Sequence, residues 1–328
     1  MTRMDPRQLR IVFMGTPEFA VESLRALVDN GYHVAGVVTA PDKPAGRGLK
    51  VAESAVKKYA VSAGLRVLQP EKLKELAFLE ELAALEADLQ VVVAFRMLPE
   101  VVWARPRLGT FNLHASLLPQ YRGAAPLNWA LINGETETGA TTFLLSHEID
   151  TGKILFRERE NIGYEDSVGD LHDRLMVRGA RLVLKTVDAL ASGAYTPIPQ
   201  EELMANGGPL KTAPKIFRED MHPDWKAPAE RIRNLIRGLS PWPAAWTTLR
   251  NGETGAETEM KIFRADTGGP LPPGTLPGRI SSDGKNSLEI ACGDHWLRIT
   301  DLQLAGRKRM NASEFLRGFN HPDHWRAT

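Results

Sequence analysis

The residues best placed to do chemistry cluster in Thr110–Gly123, TFNLHASLLPQYRG. Asn112 and His114 stand two apart in an apolar run that reads as a strand, so their side chains share one face. A sheet core has little use for two polar groups on one face unless backbone atoms satisfy them or something bound there does. The run continues into Ser116-Leu117-Leu118-Pro119, a loop of small and apolar residues suited to gripping a flat molecule. The next predicted strand, Ala140–Ser146, ends at HEIDTG (147–152), which delivers the carboxylate of Asp150 to the same sheet edge.

An Asn, a His and an Asp at strand ends lack a nucleophile. Ser116 is near, but no G-x-S-x-G elbow surrounds it, which argues against a covalent acyl-enzyme. The set suits direct acyl transfer between two bound substrates. A side-chain amide and an imidazolium can both donate to an oxyanion on a carbonyl carbon, at ~3–4 kcal/mol per donor lost. A carboxylate beside the imidazole favours its charged, donating form and can help take a proton from an attacking amine. Metal ligation by His114 and Asp150 has no third ligand at suitable spacing.

These groups need a scaffold, and the first two-thirds of the chain reads as one. Arg10–Met14, Val34–Thr39 and Leu89–Phe95 are continuous apolar runs, the kind buried on both faces of a parallel sheet. Helical patterns at Val51–Gly64, Glu71–Ala87 and Leu98–Ala104 separate them. Thr110–Ala115 and Ala140–Ser146 add two strands around a helix at Pro126–Asn133, before a long helix at Val168–Ala191. Alternation of this kind predicts an open, mostly parallel α/β sheet with its ligands beyond the carboxyl ends of the strands. A dinucleotide site fits poorly. After the first strand, Gly15-Thr16-Pro17-Glu18 offers one glycine where G-x-G-x-x-G is needed and sets an acid against the pyrophosphate. The same residues open a helix well, with Thr16 as cap, Pro17 in the first turn and Glu18 against the helix dipole.

At 328 residues the chain is too long for one comfortable core. Residues 196–215 carry four prolines and two consecutive glycines and read as a linker. The expected division is therefore a catalytic domain at 1–195, the linker, and a second domain at 216–328. The latter shows a helix at Ala229–Arg237 and five short strands, Ala245–Leu249, Met260–Arg264, Gly278–Ser282, Ser287–Ala291 and Trp296–Leu304, as in a small β-barrel or sandwich.

A net charge of +1 conceals an asymmetry. Residues 1–209 hold 23 Lys and Arg against 26 Asp and Glu, whereas 210–328 hold 18 against 14. The basic last third hints at an anionic partner. No apolar run reaches a membrane span, so no membrane partner is expected. One cysteine, Cys292, excludes a disulfide framework, fits a reducing cytoplasm and reads as a small core residue.

The segment FNLHASLLPQYRGAAPLNWALINGETETGATTFLLSHEIDTG closely resembles the core of the 10-formyltetrahydrofolate-dependent formyltransferases. The resemblance rests on an Asn-x-His strand, a Ser-Leu-Leu-Pro-x-Tyr-Arg-Gly loop and an Asp in an Ile-Asp-Thr-Gly turn. It implies a Rossmann-like sheet and a catalytic trio of Asn112, His114 and Asp150. It further implies folate contacts from Ser116, Leu117, Leu118 and Pro119, with 10-formyltetrahydrofolate as formyl donor and no metal.

The branch of that family acting on methionyl-tRNA resembles the chain from end to end. FMGTPEFA, the loop APDKPAGRGLK, the LSPWPAAW run and the LQLAGRKRM run all match it, the last two lying in a C-terminal OB-like barrel. By that resemblance Arg47 meets the acceptor stem of an initiator methionyl-tRNA. Lys43, Lys50, Lys215, Arg218, Arg307, Lys308 and Arg309 add charge along the tRNA, and the enzyme is a cytoplasmic monomer. Trp242 and Trp246 are expected in core packing. Phe95-Arg96-Met97-Leu98-Pro99 departs from the family's usual Tyr-Gly after the third strand. Two alternatives stand beside this reading. An N-formyltransferase for a nucleotide-linked amino sugar conflicts with the Arg47 loop and the basic C-terminal region. A non-catalytic RNA-binding protein conflicts with the intact trio.

Overall fold

The computed structural model describes residues 5–45, 50–204, 209–319 and 321–328. The chain forms two compact units: Met1–Gly123 with Thr138–Asn161 and His172–Thr212, and Ala124–Glu137 with Ile162–Leu171 and Ala213–Thr328.

In chain order the strands of the first unit are β1 (Ile11–Gly15), β2 (Val34–Val38), a short antiparallel ribbon of β3 (Lys43–Ala45) and β4 (Lys50–Ala52), then β5 (Val67–Leu68), β6 (Leu89–Val93) and β7 (Thr110–His114). β8 (Arg122–Gly123) lies outside the main sheet, which β9 (Glu137–Leu144) and β10 (Ile154–Asn161) complete. The order across the sheet is β10-β9-β7-β6-β1-β2-β5. The five strands from β5 to β7 run parallel, and β9 joins β7 antiparallel. This is the open, mostly parallel sheet predicted. β1 and β6 are buried at every position, as continuous apolar runs require. Even-numbered β1 residues Val12 and Met14 join Val38 and Val92 in a core closed by Phe78 and Leu82 of helix Leu76–Ala83. Strand order reverses at β1, so the crevice beside its carboxyl end is where such a sheet binds ligands. Gly15 sits there without room for a side chain, since a Cβ would lie 2.9 Å from the Val93 carbonyl oxygen.

Two sequence expectations need correction in this unit. The first helix starts at Glu18, with Pro17 as N-cap and no side-chain cap bond, so Thr16 does not cap it. The charges of β10, ILFREREN, hide its alternation in the sequence, so this strand lies outside the expected set. Glu160 is buried on this edge strand, accepts from Arg174 Nε at 2.9 Å and is ion-paired with Arg178, whose Nε lies 2.7 Å away, both on helix Val168–Ser192. Helix spacing thus supplies the cations that allow an acidic strand.

The stretch read as a linker carries structure of its own. Ile154 and Ile198 form an antiparallel bridge with two 2.9 Å hydrogen bonds, and Gln200–Met204 is a helix. Short β11 (Thr212–Ala213) follows.

The second unit is built on β12 (Ala245–Asn251), β13 (Glu257–Pro270), β14 (Ile280–Ser282), β15 (Leu288–Ala291), β16 (His295–Leu304), β17 (Met310–Asn311) and β18 (Trp325–Ala327). Its sheet runs β14-β15-β16-β13-β12-β18, with β17 on β16 and every pairing antiparallel. An antiparallel bridge between Arg279 and Arg326 draws the two ends together, giving a nearly closed barrel. All five predicted strands are present, and β17 and β18 add to them. Its interior holds Met260, Ile262, Leu288, Ile290, Leu297, Ile299 and Leu302, plugged by Ile232 and Ile236 of helix Ala229–Leu239. Cys292 belongs to this core, and burial pushes its thiol up to about 12. Trp242 does not: it is 80% exposed, a correction to the expectation that it packs inside. Flanking prolines at 241 and 243 leave its backbone in a turn, outside any strand or helix. Trp246 is half-buried and donates from Nε1 to the Arg218 carbonyl at 3.0 Å. No helix among the described residues is long and apolar enough to cross a membrane.

Candidate active site

β7 positions the first two residues of the trio. Leu113 points to the face where Gly179 of helix Val168–Ser192 packs so closely that a Cβ would lie 2.8 Å from it. Asn112 and His114 therefore point to the opposite face. Thr110 anchors the start of the strand, its hydroxyl lying within hydrogen-bond distance of the Trp103 carbonyl, at 2.7 Å, and of Gln90 Oε1, at 2.9 Å.

His114 is buried, and its Nε2 lies 2.9 Å from the carbonyl oxygen of Tyr121. A carbonyl only accepts, so Nε2 carries the proton and Nδ1 is left to face the site. Asp150 Oδ2 stands 3.9 Å from that Nδ1, outside direct hydrogen-bond reach and within range of charge interaction. The Asp150 carboxylate is held instead by the backbone N–H of Gly123 at 3.0 Å. Asn112 is half-buried, and its side-chain amide has no hydrogen-bond partner among the described residues. A partly exposed amide beside a fixed imidazole is a donor available to a ligand.

Several contributors escaped sequence reasoning. Gln200, fully buried, donates from Nε2 to the carbonyls of Asp150 at 2.8 Å and Gly152 at 2.9 Å. Its Oε1 accepts from Arg122 Nη2 at 2.6 Å and Nε at 3.1 Å. Tyr121 and Asp150 both take left-handed backbone conformations, φ 60° and 55°. Thr141 on β9 braces the loop after β7, donating to the Ser116 carbonyl at 2.6 Å while its hydroxyl oxygen accepts from the Leu118 N–H at 3.1 Å. Nothing in the local sequence marks Gln200, because its partners are 48, 50 and 78 residues away.

The Ser116–Pro119 loop turns out to be held largely from within. Ser116 donates to the Gln120 carbonyl at 2.7 Å, Leu118 packs with Phe143 and Ile154, and Pro119 is buried. Leu117 is half-buried, the one member of the four with side-chain surface to offer. Beyond β6, Ala94 is left-handed at φ 48° and Arg96 donates to the carbonyls of Glu71, at 2.8 Å, and Pro70.

Formyl transferase models match residues 9–187, and their C-terminal domain model matches 215–320. The chain belongs to the formyl transferase family. Relatives include a methionyl-tRNA formyltransferase of Parabacteroides distasonis, 59% identical over 96% of this chain and 97% of that one. Another, from Bacteroides fragilis, is 57% identical over 97% of each. As a formyl transferase the chain is an enzyme of group transfer. Solved structures share the fold at low identity. HypX from Aquifex aeolicus in complex with tetrahydrofolic acid superposes with TM-score 0.61 at 17% identity, over 94% of this chain and 47% of that chain. An N-formyltransferase from Helicobacter canadensis, in complex with folinic acid and dTDP-3-aminofucose, gives 0.62 at 19%, over 89% and 99%.

The remaining sequence-predicted residues are scattered along the formyl transferase chain. Arg47 lies outside the described residues, and Lys50 opens β4. Lys43, Lys215, Arg307 and Lys308 are exposed. Arg218 is paired with Glu259 and sits over the Trp246 ring, 4.3 Å from its centroid. Arg309 is gripped by Asp301, whose hydrogen bond holds the guanidinium's pKa above its ordinary value. These two cations already have protein carboxylates as partners. No third metal-ligating residue joins His114 and Asp150 among the described residues.

Proposed function

We propose that the enzyme transfers the formyl group of 10-formyltetrahydrofolate to the α-amino group of methionine on initiator tRNA. The observation that supports it most is the pairing of an Asn112 amide, without a partner among the described residues, with a fixed His114 imidazole on one face of β7, opposite Asp150. Its methionyl-tRNA formyltransferase relatives, matched almost end to end, support the choice of acceptor.

The donor substrate supplies an electrophilic formyl carbon. As the neutral amine adds to it, negative charge builds on the formyl oxygen. Asn112 donates an N–H to that oxygen, and His114, anchored through Nε2, directs Nδ1 at the same reaction centre. Asp150 receives the proton that the amine must lose, directly or through water, and passes it to N10 as the bond from the formyl carbon to N10 breaks. Because Nε2–H is committed to the Tyr121 carbonyl, a neutral His114 can accept at Nδ1 and a charged one can donate there.

Leu117 and the backbone of the Ser116–Pro119 loop contact the folate in this reading. Arg47, Lys43, Lys50, Lys215, Arg307 and Lys308 meet tRNA phosphates, joined by Arg218 and Arg309 where phosphate displaces their carboxylate partners. Affinity for tRNA then falls steeply with salt. The test is a formylation assay with 10-formyltetrahydrofolate and three acceptors side by side: charged initiator tRNA, elongator methionyl-tRNA and a nucleotide-linked amino sugar. Preferred use of the initiator is expected. Preferred use of the sugar amine overturns the reading.

A further inference from the structure

We propose that Gln200 and Arg122 are positioning residues that fix Asp150 for proton transfer. This rests on the catalytic reading of Asp150 above. A fully buried side-chain amide is costly unless its capacity is met, and at Gln200 it is met in one specific way. Both Nε2 hydrogens go to carbonyls on either side of one turn, Asp150 and Gly152, while Oε1 takes two N–H groups of one guanidinium.

That turn is one the backbone resists. Asp150 is left-handed at φ 55°, a conformation a non-glycine residue keeps only when its surroundings impose it. Gln200 imposes it from the carbonyl side. Its own place is set by the Ile154–Ile198 bridge two residues earlier and by Arg122. Arg122 in turn adjoins Gly123, whose N–H holds the Asp150 carboxylate. The Arg122-Gly123 dipeptide therefore grips Asp150 at its side chain directly and at its main chain through Gln200. Tyr121, the preceding residue, accepts from His114. Three consecutive residues thus tie His114 and Asp150 to one short piece of backbone, and the supposed linker supplies the brace.

Glutamine is specific to this task, because the site needs a donor and an acceptor on one planar group. Glutamate has the same shape and would keep Arg122, yet it offers no N–H to either carbonyl. The test compares Q200E and Q200A with wild type, and repeats Q200E in a D150N background, by single-turnover and steady-state formylation. Q200E is expected to lower kcat by about 10- to 100-fold, as a misplaced group does, with KM for both substrates changed less than about threefold. In the D150N background the same change is expected to cost less than about twofold, since there is no carboxylate left to position. Wild-type kcat in Q200E, or losses that multiply in the double variant, overturns the proposal. If Q200A fails to fold, R122M reads the same brace from its half-buried end and must reproduce the Q200E pattern. Wild-type protein without formylation activity sinks the catalytic reading itself, a separate outcome.

Discussion

Substituting Gly152 with alanine probes how tightly the site depends on its scaffold. Gly152 is buried where the chain passes β9, and an added Cβ would lie 1.6 Å from the Leu144 carbonyl oxygen. Real contacts of that kind do not fall below 3.0 Å, so the backbones must part by about 1.4 Å. The neighbouring Leu144 N–H to Lys153 carbonyl bond, 3.0 Å, opposes that opening. Asp150 is two residues away, and Gln200 binds both Asp150 and Gly152, so the displacement reaches the carboxylate. A misplacement of this size costs about 100-fold in rate, or ~2.7 kcal/mol of barrier. Overpacking adds a folding cost of ~1–3 kcal/mol. The assay is steady-state formylation at saturating donor, with thermal melting on the same preparation. We expect kcat to fall about 100-fold and Tm by several degrees. A variant whose Tm drops while kcat stays within about threefold of wild type refutes the reasoning, because it uncouples the turn from the chemistry.

Other expectations follow from the same geometry. Asn112→Ala should lower kcat by about 10²–10³-fold. It should leave Tm unchanged, since the amide has no partner among the described residues to lose; a Tm drop with normal kcat would assign it to folding. Asp150→Asn should retain less than about a tenth of wild-type kcat, a change above ~1.4 kcal/mol, with tRNA affinity nearly intact. Cys292, its thiol pushed up to about 12 by burial, should resist alkylation at pH 8 until the barrel unfolds, as mass spectrometry under increasing denaturant would show. Asp283 is held down to about 2, chiefly by the backbone N–H groups of Ser287, Lys285 and Asn286. Its folded value lies below the ordinary 3.8, so its contribution to stability is present above that pH and disappears as pH falls through about 2. The Tm difference between wild type and Asp283→Ala should therefore narrow from pH 5 to pH 2.

Much of this fold was readable because its signals are local. Continuous apolar runs marked β1, β2 and β6, and a two-residue spacing placed Asn112 and His114 on one face, since strand geometry fixes that whatever the rest of the chain does. The Ile-Asp-Thr-Gly turn announced both a carboxylate and a glycine. What local pattern cannot convey is who approaches from afar. It does not say that Gly152 is a glycine because β9 passes within a bond length of where a Cβ would sit. β10 looked too charged to be a strand until Arg174 and Arg178 stood over Glu160. Prolines around Trp242 left an indole in solvent that composition alone would bury. Most of all, residues 196–215 have the prolines and glycines of a tether, yet they carry the glutamine that holds the turn bearing Asp150. Local pattern in the sequence pointed to Asn112, His114 and Asp150 as the groups of the candidate site. Their distances, and the brace that sets them, came from hydrogen bonds between segments tens of residues apart, which no periodicity records.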